Sequence, residues 1–379
     1  MVHQNSVSIE EMRGQLLSLD DVREKLAVTD SLVAIPFQAG AAQLRLVPGW
    51  GGKEVPLNDY TSAFLRLTGG EEYQLTKHAA LEVGAAVGIP RKVQESSDPD
   101  VMASLINWRL GHVLDERNLK ALGTMGDNRV LALTRATVTP FSNLALLDIM
   151  VAGLEKKYGS GEILADYKFS HDVEHTGLRL IVPGYRRVIT GTAVADDTWS
   201  AGLDFANSLV GLKQLEINGQ LFRWWCTNGC TDTLHSVGGL SRRGTTEEDA
   251  MAWAAETVDE VLGGLEPMLD HIQELTTQPI AGDVRSILDG LFTDYGIPSR
   301  DRHRVIEAMA EDQEMTAYSL MQAVTMAANL DGISDRDRQR LMRMGGGIAG
   351  THSLRCNLGR VHRAVATEPT EEAAETAEA

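Results

Sequence analysis

The sequence lacks any apolar run long enough to cross a bilayer. No stretch approaches the roughly 20 consecutive apolar residues that a transmembrane helix needs. The N-terminal residues, MVHQNSVSIEEMRG, contain no basic start followed by an apolar segment, as a secretory signal would. We therefore expect a soluble protein of the cytoplasm.

Cysteine is also scarce. The three cysteines, Cys226, Cys230 and Cys356, cannot form a closed set of disulfides, which is typical of proteins in a reducing compartment. Cys226 and Cys230 could bind a metal together with His235, but their C-x3-C spacing does not match a zinc site. Buried thiols are the preferred interpretation.

Basic residues are fewer than acidic ones. The chain has 35 Lys and Arg and 53 Asp and Glu, which gives a formal net charge of −18. The distribution of the charge matters more for binding than the sum. Residues 244–335 contain 19 acidic residues and four arginines, 336–363 seven arginines and one acid, and 364–379 five glutamates and no base. A basic segment thus precedes a low-complexity acidic tail that we expect to be disordered.

Hydrophobic periodicity predicts both helices and strands. Asn58 is a suitable N-cap for a short helix through Leu67, and further helices are expected over 76–87 and 99–114. Alternating apolar residues predict strands in the centre of the chain, for example over 198–206. Asn218-Gly219, between the apolar runs 212–217 and 220–226, predicts a two-residue hairpin turn. All clear patterns after Gly244 are helical.

These patterns predict an α+β protein with a central, mostly antiparallel sheet, flanking helices and a C-terminal helical annex. The predicted divisions are a mixed N-terminal region over 1–117, the sheet domain over 118–243, the annex over 244–363 and the acidic tail over 364–379.

The window 207–230, NSLVGLKQLEINGQLFRWWCTNGC, is the most informative part of the chain. Its Asn207-Ser208 step, Gly211, the hydrophobic run and the closing Cys-Thr-Asn-Gly resemble the central signature of the phage/plasmid-like protein family catalogued as domain of unknown function number 932. The segments 131–150, 319–330 and 341–350 resemble other parts of that family. The resemblance implies a mobile-element accessory protein in the host cytoplasm, near replication or recombination functions. It implies no established activity.

Arginines and tryptophans follow the predicted hairpin. Alternation places Trp224 and Trp225 on opposite faces of the sheet, so one of them should be the less buried. An aromatic ring beside arginines on an exposed sheet suits single-stranded DNA, because bases stack on the ring and guanidinium groups neutralise phosphate. The candidate binding residues are Arg223, Trp224, Trp225, Arg242, Arg243, Arg340, Arg343, Arg355 and Arg360. The alternatives are that both tryptophans belong to the core and that the basic segment pairs with the acidic annex.

Two further motifs match catalytic or cofactor patterns. His171, Glu174 and His175 form H-x-x-E-H, which binds zinc only when it lies on a helix. Here it separates two strand-like runs, so a surface turn is preferred. Gly345, Gly347 and Gly350 satisfy G-x-G-x-x-G but follow a helix instead of a strand, which favours a helix stop and predicts no nucleotide cofactor.

The sequence therefore predicts a non-catalytic, single-stranded-DNA-binding accessory protein of DNA metabolism, encoded by a phage or another mobile element. Its expected partners are single-stranded DNA and host or phage replication or recombination proteins, with homo-oligomerisation left open. A module that binds host proteins through its acidic annex is the alternative, and a zinc hydrolase that uses the HDVEH segment is the further alternative.

Overall fold

The computed structural model describes residues 13–14, 16–37, 42–51, 54–55, 59–67, 69–112, 119–124, 128–135, 137–166, 170–171, 175–192, 196–211, 214–224, 228–232, 240, 245–280, 284–310, 316–328, 333 and 335–349. The acidic tail over 364–379 lies outside these residues. No helix in the described part of the chain is long and apolar enough to span a membrane.

Ten helices are present among the described residues. They are α1 (Leu19–Asp30), α2 (Lys77–Ala86), α3 (Arg91–Ser96), α4 (Pro99–Leu110), α5 (Asn143–Tyr158), α6 (Glu247–Leu275), α7 (Val284–Asp294), α8 (Ser299–Ala310), α9 (Ala317–Ala328) and α10 (Asp335–Ala349).

The strands form two sheets. They are β1 (Leu17–Ser18), β2 (Val33–Phe37), β3 (Gln43–Leu46), β4 (Tyr60–Arg66), β5 (Glu72–Thr76), β6 (Leu119–Thr124), β7 (Arg129–Arg135), β8 (Leu164–Ala165), β9 (Ser170–His171), β10 (Thr176–Ile181), β11 (Arg187–Ile189), β12 (Asp197–Asn207), β13 (Glu216–Arg223) and β14 (Asn228–Asp232).

Sheet A has the order β1-β8-β10-β12-β13-β14, with β9 beside β10 and β11 beside β12. Sheet B has the order β2-β6-β7-β5-β4-β3 and contains one parallel pair, β5 with β7. The predicted α+β class with mostly antiparallel pairing and a C-terminal helical annex is confirmed. Sheet B contains β2 to β7, from both sides of the 117/118 division, whereas sheet A contains β1 and β8 to β14.

One face of sheet B packs against α2 and α4, and α3 packs on α2 through Gln94, which donates to the Leu81 carbonyl at 2.9 Å. Alternate residues of its strands, such as Leu44, Leu65 and Leu75, are buried together with Met102 and Ile106 of α4. Thr76 begins α2, because its side chain accepts a hydrogen bond from the backbone of Ala79. The opposite face of the strands carries polar and aromatic side chains.

The prediction of a helix over 58–67 is wrong, because β4 occupies this segment. Its burial alternates, with Ala63 and Leu65 in the core and Ser62 and Arg66 exposed. Pairing with β3 and β5 decides the outcome here, since a short segment follows its tertiary contacts more than its local propensity.

The edge of sheet B is closed by a side chain. The Asn107 amide of α4 accepts a hydrogen bond from the Leu44 backbone N–H at 2.6 Å and donates one to the Leu44 carbonyl at 2.8 Å. β3 is the outermost strand, so this amide satisfies backbone groups that could otherwise pair with another chain.

Sheet A packs against α5 and α6 through Trp199, Ala201, Leu203 and Phe205 of β12, which are fully buried. These are the alternating positions that the sequence pattern indicates. The apolar stripe of α6, from Val258 to Leu275, covers the same face.

The prediction of a hairpin turn at Asn218-Gly219 is wrong. Both residues lie inside β13, paired with Asp204 and Leu203 of β12. Gly219 is needed for another reason: a Cβ atom there would lie 2.7 Å from Leu265 Cδ2 and 3.1 Å from Val261 Cγ1. The glycine lets α6 approach the sheet closely.

We expect Gly219→Ala to lower the free energy of unfolding by about 1–3 kcal/mol, because the new methyl group overpacks the contact with α6. Gly263→Ala is the matched control, since Gly263 lies on the exposed side of α6, where an added Cβ would meet nothing within 4 Å. This control should raise the free energy of unfolding by about 0.5–1 kcal/mol through helix propensity. Urea denaturation measures both, and an equally stable Gly219→Ala variant would contradict the packing role.

Candidate nucleic-acid interface

Arg223 is buried in the interior, with 3% of its surface exposed. Its Nε lies 2.6 Å from Asp197 Oδ1 and its Nη2 lies 2.7 Å from Asp197 Oδ2, which makes a two-bond ion pair between β13 and β12. Asp197 is completely buried. A charge pair of this kind is stable only when its remaining hydrogen-bonding capacity is also satisfied.

Helix α9 supplies the missing partners. Tyr318 donates its hydroxyl hydrogen bond to Asp197 Oδ2, and Arg223 donates from Nη1 to Gln322 Oε1. Burial raises the pKa of Tyr318 well above its usual range, so the hydroxyl remains a donor. The four side chains fasten α9 to sheet A.

Trp224 is buried as well, with 1% of its surface exposed. Its Nε1 donates to Ser200 Oγ at 2.6 Å, and its ring meets Phe222 edge to face at 5.1 Å between centroids. Leu16 packs against this cluster. The expectation that Arg223 and Trp224 form a binding surface is therefore wrong. Arg223 is used in the buried ion pair with Asp197, and Trp224 is buried in a cluster against which Leu16 packs.

Three arginines of the basic segment bond to other groups of the same chain, and Arg338 donates from Nε to the Ala328 carbonyl at 3.1 Å. Arg343 Nη2 lies 2.6 Å from Glu216 Oε2, and Arg340 Nη1 lies 3.3 Å from Asp337 Oδ1 and 2.9 Å from the Gly296 carbonyl. This arrangement agrees with intramolecular pairing of the segment. The candidates Trp225, Arg242, Arg243, Arg355 and Arg360 lie outside the described residues.

The two ends of the HDVEH segment lie at a strand pair, because His171 ends β9 and His175 directly precedes β10. His171 pairs with Thr176 and Ser170 with Gly177, so the chain reverses between β9 and β10, as the turn interpretation predicts. The placement of Glu174 and of the His171 side chain lies outside the described residues. Within the described residues, no group of three or more His, Cys, Asp or Glu side chains could hold a metal ion.

The expectation of a helix stop at Gly345 and Gly347 is wrong. Both lie inside α10, which continues to Ala349. Both are buried. Gly350 lies outside the described residues, as do Cys226, His235 and Cys356.

A surface of the predicted kind is present on sheet B instead. Arg45, Phe64, Gln74 and Arg129 are direct neighbours on β3, β4, β5 and β7 and form one row across the sheet. All four side chains project from the face opposite the helices, because the residues that alternate with them are buried in the core. We call this surface, together with Tyr60 and Arg66, the arginine-aromatic face.

Each aromatic ring of the arginine-aromatic face has a guanidinium group beside it. The Arg45 Cζ lies 4.2 Å from the centroid of the Phe64 ring, and the Arg129 Cζ lies 4.8 Å from the centroid of the Tyr60 ring. Both arginines are exposed and both rings are partly exposed. Part of each ring is thus open to solvent, and a guanidinium group lies over the ring face.

Glu72 is the acid on the arginine-aromatic face. Arg45 donates to both of its carboxylate oxygens, at 3.2 and 2.8 Å. The hydrogen bond from Arg45 lowers the pKa of Glu72, and the charges of Arg45 and Arg66 act in the same direction. Glu72 is therefore ionised at neutral pH and competes with any anion for Arg45.

The other half of this face of sheet B is covered. Leu209 and Val210, which follow β12, pack on Leu122 and Ala132, and Thr134 donates to the Val210 carbonyl at 3.1 Å. Burial lowers the pKa of Lys120, which lies on this half beside Thr134. The accessible part is therefore formed by β3, β4, β5 and the start of β7.

The region that contains sheet B is electrically balanced. Residues 32–135 contain eleven Lys and Arg and eleven Asp and Glu, whereas the whole chain has a net charge of −18. All of the net negative charge lies elsewhere in the sequence. A charge count for the N-terminal half and recognition of β4 as a strand would have revealed this surface from the sequence.

A second polar row crosses sheet A on the face away from α6. Arg179, Asp204 and Asn218 are direct neighbours on β10, β12 and β13. Burial raises the pKa of Asp204, against the opposing effects of Arg179, Arg343 and a hydrogen bond from Asn218. Asn218 is buried, and Arg179 and Asp204 are partly exposed.

We expect Arg223→Met to lower the free energy of unfolding by about 3–5 kcal/mol, because Asp197 would be left as an unpaired buried charge. Tyr318→Phe should cost about 1.5–3 kcal/mol, the usual value of a hydrogen bond to a charged group. Urea denaturation followed by circular dichroism measures both. If either variant were as stable as wild type, these side chains would not hold α9 on the sheet.

Asp204→Asn should raise stability at neutral pH and reduce its dependence on pH. An acid whose pKa is raised in the folded state holds its proton more tightly there, so stability falls as the pH rises from the unfolded value, about 3.9, through the folded pKa. Denaturation midpoints between pH 4 and pH 8 measure this change. Asp148→Asn, at an exposed ion pair, is the control and should leave the profile unchanged. A steeper profile for Asp204→Asn would refute the assignment.

Comparison with known proteins gives no information about the interface. No protein-family model, no curated protein and no solved structure shows a significant match to the chain. The resemblance to the phage/plasmid-like family therefore stays a prediction from the residues of the 207–230 window.

Proposed function

We propose that the protein is a non-catalytic, single-stranded-DNA-binding protein whose contact surface is the arginine-aromatic face of sheet B. The observation that carries this proposal is the pair of partly exposed rings, Phe64 and Tyr60, with guanidinium groups 4.2 and 4.8 Å from their centroids. An accessory role in the DNA metabolism of a phage or another mobile element, in the host cytoplasm, accords with the resemblance of the 207–230 window.

The chemistry of the face suits single strands better than duplexes. Unpaired bases can stack on Phe64 and Tyr60, whereas the bases of a duplex are already stacked on each other. A β-bulge lies between Tyr60 and Ala63, and the partners of Tyr60 and Phe64 on β5 are Thr76 and Gln74, only two residues apart. The two residues are therefore separated by about 7 Å along the sheet at the usual rise of a strand. Two separate bases could therefore stack at once.

Arginines supply the contacts to phosphate. Arg45, Arg66 and Arg129 are exposed on the same face, and Glu72 is the acid among them. Three phosphate contacts on single-stranded DNA give a slope of about −2 in a plot of log affinity against log salt concentration. Binding without base-specific contacts is usually weak, with a Kd of about 1–100 µM at physiological salt.

The charge distribution supports the same surface. The strongly acidic helical annex repels phosphate, whereas the sheet B region is neutral overall and has arginines concentrated on one face. DNA would therefore approach from the sheet B side. Arg340 and Arg343 of the basic C-terminal segment are already paired with acids and add little to this surface.

We expect the protein to bind a fluorescein-labelled oligothymidine in low salt. Phe64→Leu keeps an apolar side chain under Arg45 but removes the stacking surface, and it should weaken binding about tenfold. Arg45→Ala and Arg129→Ala should each weaken binding and make the salt slope shallower by about 0.7. Fluorescence anisotropy over a series of salt concentrations measures both effects.

Glu72→Gln provides a test with the opposite sign. Removal of the carboxylate frees Arg45 for phosphate, so binding should become several times tighter. Arg23→Ala is the matched control, because Arg23 is an exposed arginine with one acidic partner, Asp148, on another surface. No binding by wild type, or equal losses in Arg23→Ala and Arg45→Ala, would exclude the proposal.

A further inference from the structure

Gln74 lies in the middle of the arginine-aromatic face. It is the direct neighbour of Phe64 on β4 and of Arg129 on β7, so an aromatic residue lies on one side of it and an arginine on the other. Its side chain is partly exposed. Unlike the rings and the arginines, this amide has no part in the proposed function.

The amide of Gln74 is held in one orientation. A β-bulge interrupts the pairing of β4 with β5 between Tyr60 and Ala63, so that Thr61 has no partner residue on β5. Gln74 Nε2 donates a hydrogen bond to the Thr61 carbonyl at 3.1 Å. The reverse orientation would place the amide oxygen against the carbonyl oxygen, and two acceptors form no hydrogen bond. The nitrogen of the amide therefore faces the backbone.

This bond leaves part of the amide available. A primary amide has two N–H donors and an oxygen that accepts. Within the described part of the chain, the bond to Thr61 is the hydrogen bond that this side chain makes. One N–H and the oxygen, side by side on the same group, are thus left for a ligand.

A neighbouring donor and acceptor match the edge of a base. Glutamine forms two hydrogen bonds with adenine, because it donates to a ring nitrogen and accepts from the amino group. The amino group of adenine has a ring nitrogen on each side, N1 and N7, so two edges of this base fit the amide. The other three bases have such a pair on the Watson–Crick edge alone, and the second edge of guanine carries two acceptors.

We propose that Gln74 determines base specificity and that the arginine-aromatic face prefers single-stranded DNA that contains adenine. Neighbouring strands lie about 4.8 Å apart, so a base that packs against the open part of the Phe64 ring extends over β5 and meets the Gln74 amide. Arg45 and Arg129, at the two ends of the row, contact the flanking phosphates, which position the strand. This inference rests on the proposed function and adds a base preference to it.

Two oligonucleotides that differ in one amino group test the preference on the unchanged protein. Both are fluorescein-labelled oligothymidines in which the same thymines are replaced, by adenine in one and by unsubstituted purine in the other. Purine has the ring system of adenine but no amino group, so it can stack but cannot donate to the Gln74 oxygen. Fluorescence anisotropy in low salt should show that wild type binds the adenine strand about fivefold more tightly.

Gln74→Leu should bind the two oligonucleotides with equal affinity, because leucine has no hydrogen-bonding group in its side chain. Gln43→Leu is the matched control, since Gln43 is an exposed glutamine on the neighbouring part of β3 and is the direct partner of Arg66. This control should keep the preference for adenine. Circular dichroism establishes that both variants are folded.

The outcomes separate this inference from the proposed function. Equal binding of the two oligonucleotides by wild type, or a preference for adenine that persists in Gln74→Leu, would overturn the inference and leave the proposed function in place. No binding of either oligonucleotide would overturn the proposed function and this inference with it.

Discussion

The buried ion pair between Asp197 and Arg223 is the interaction on which the rest of the structure depends. It joins the start of β12 to the end of the neighbouring strand β13, and through Tyr318 and Gln322 it holds α9 against sheet A. Charged groups this deep would destabilise the fold if any of their bonds were missing. The geometry of sheet A and of the helical annex is therefore set together, because neither can move without exposing an unsatisfied charge.

This constraint separates two kinds of arginine in one chain. Arg223 lies beside aromatic residues in the interior, where its charge is neutralised by Asp197. Arg45 and Arg129 lie beside aromatic residues as well, but on a surface open to solvent. The same pairing of residue types is structural in sheet A and available for binding in sheet B. Burial, which sequence composition does not reveal, makes the difference.

Much of the fold can be predicted from the sequence. The cap at Thr76 and the alternation of β12 indicate helix and strand correctly, because each depends on local contacts. The Asn218-Gly219 dipeptide instead predicts a turn where the structure has a strand. Position 219 needs a small residue because it packs against Val261 and Leu265 of α6, which lie more than forty positions later in the sequence. The segment of β4 favours a helix on local pattern alone, because Tyr60 and Phe64 also have helical spacing.

The parallel pairing of β5 with β7 has a consequence for how the protein becomes competent to bind. Tyr60 and Arg129 come from strands separated by β5, three helices and β6, and they meet only after β7 has joined the sheet. β7 also carries Thr134, the residue that bonds to the segment after β12 of sheet A. A partly folded or truncated chain that lacks β7 thus has an incomplete arginine-aromatic face, with Phe64 and Arg45 but without Arg129 beside Tyr60. Completion of this surface would report that β7 has joined β5.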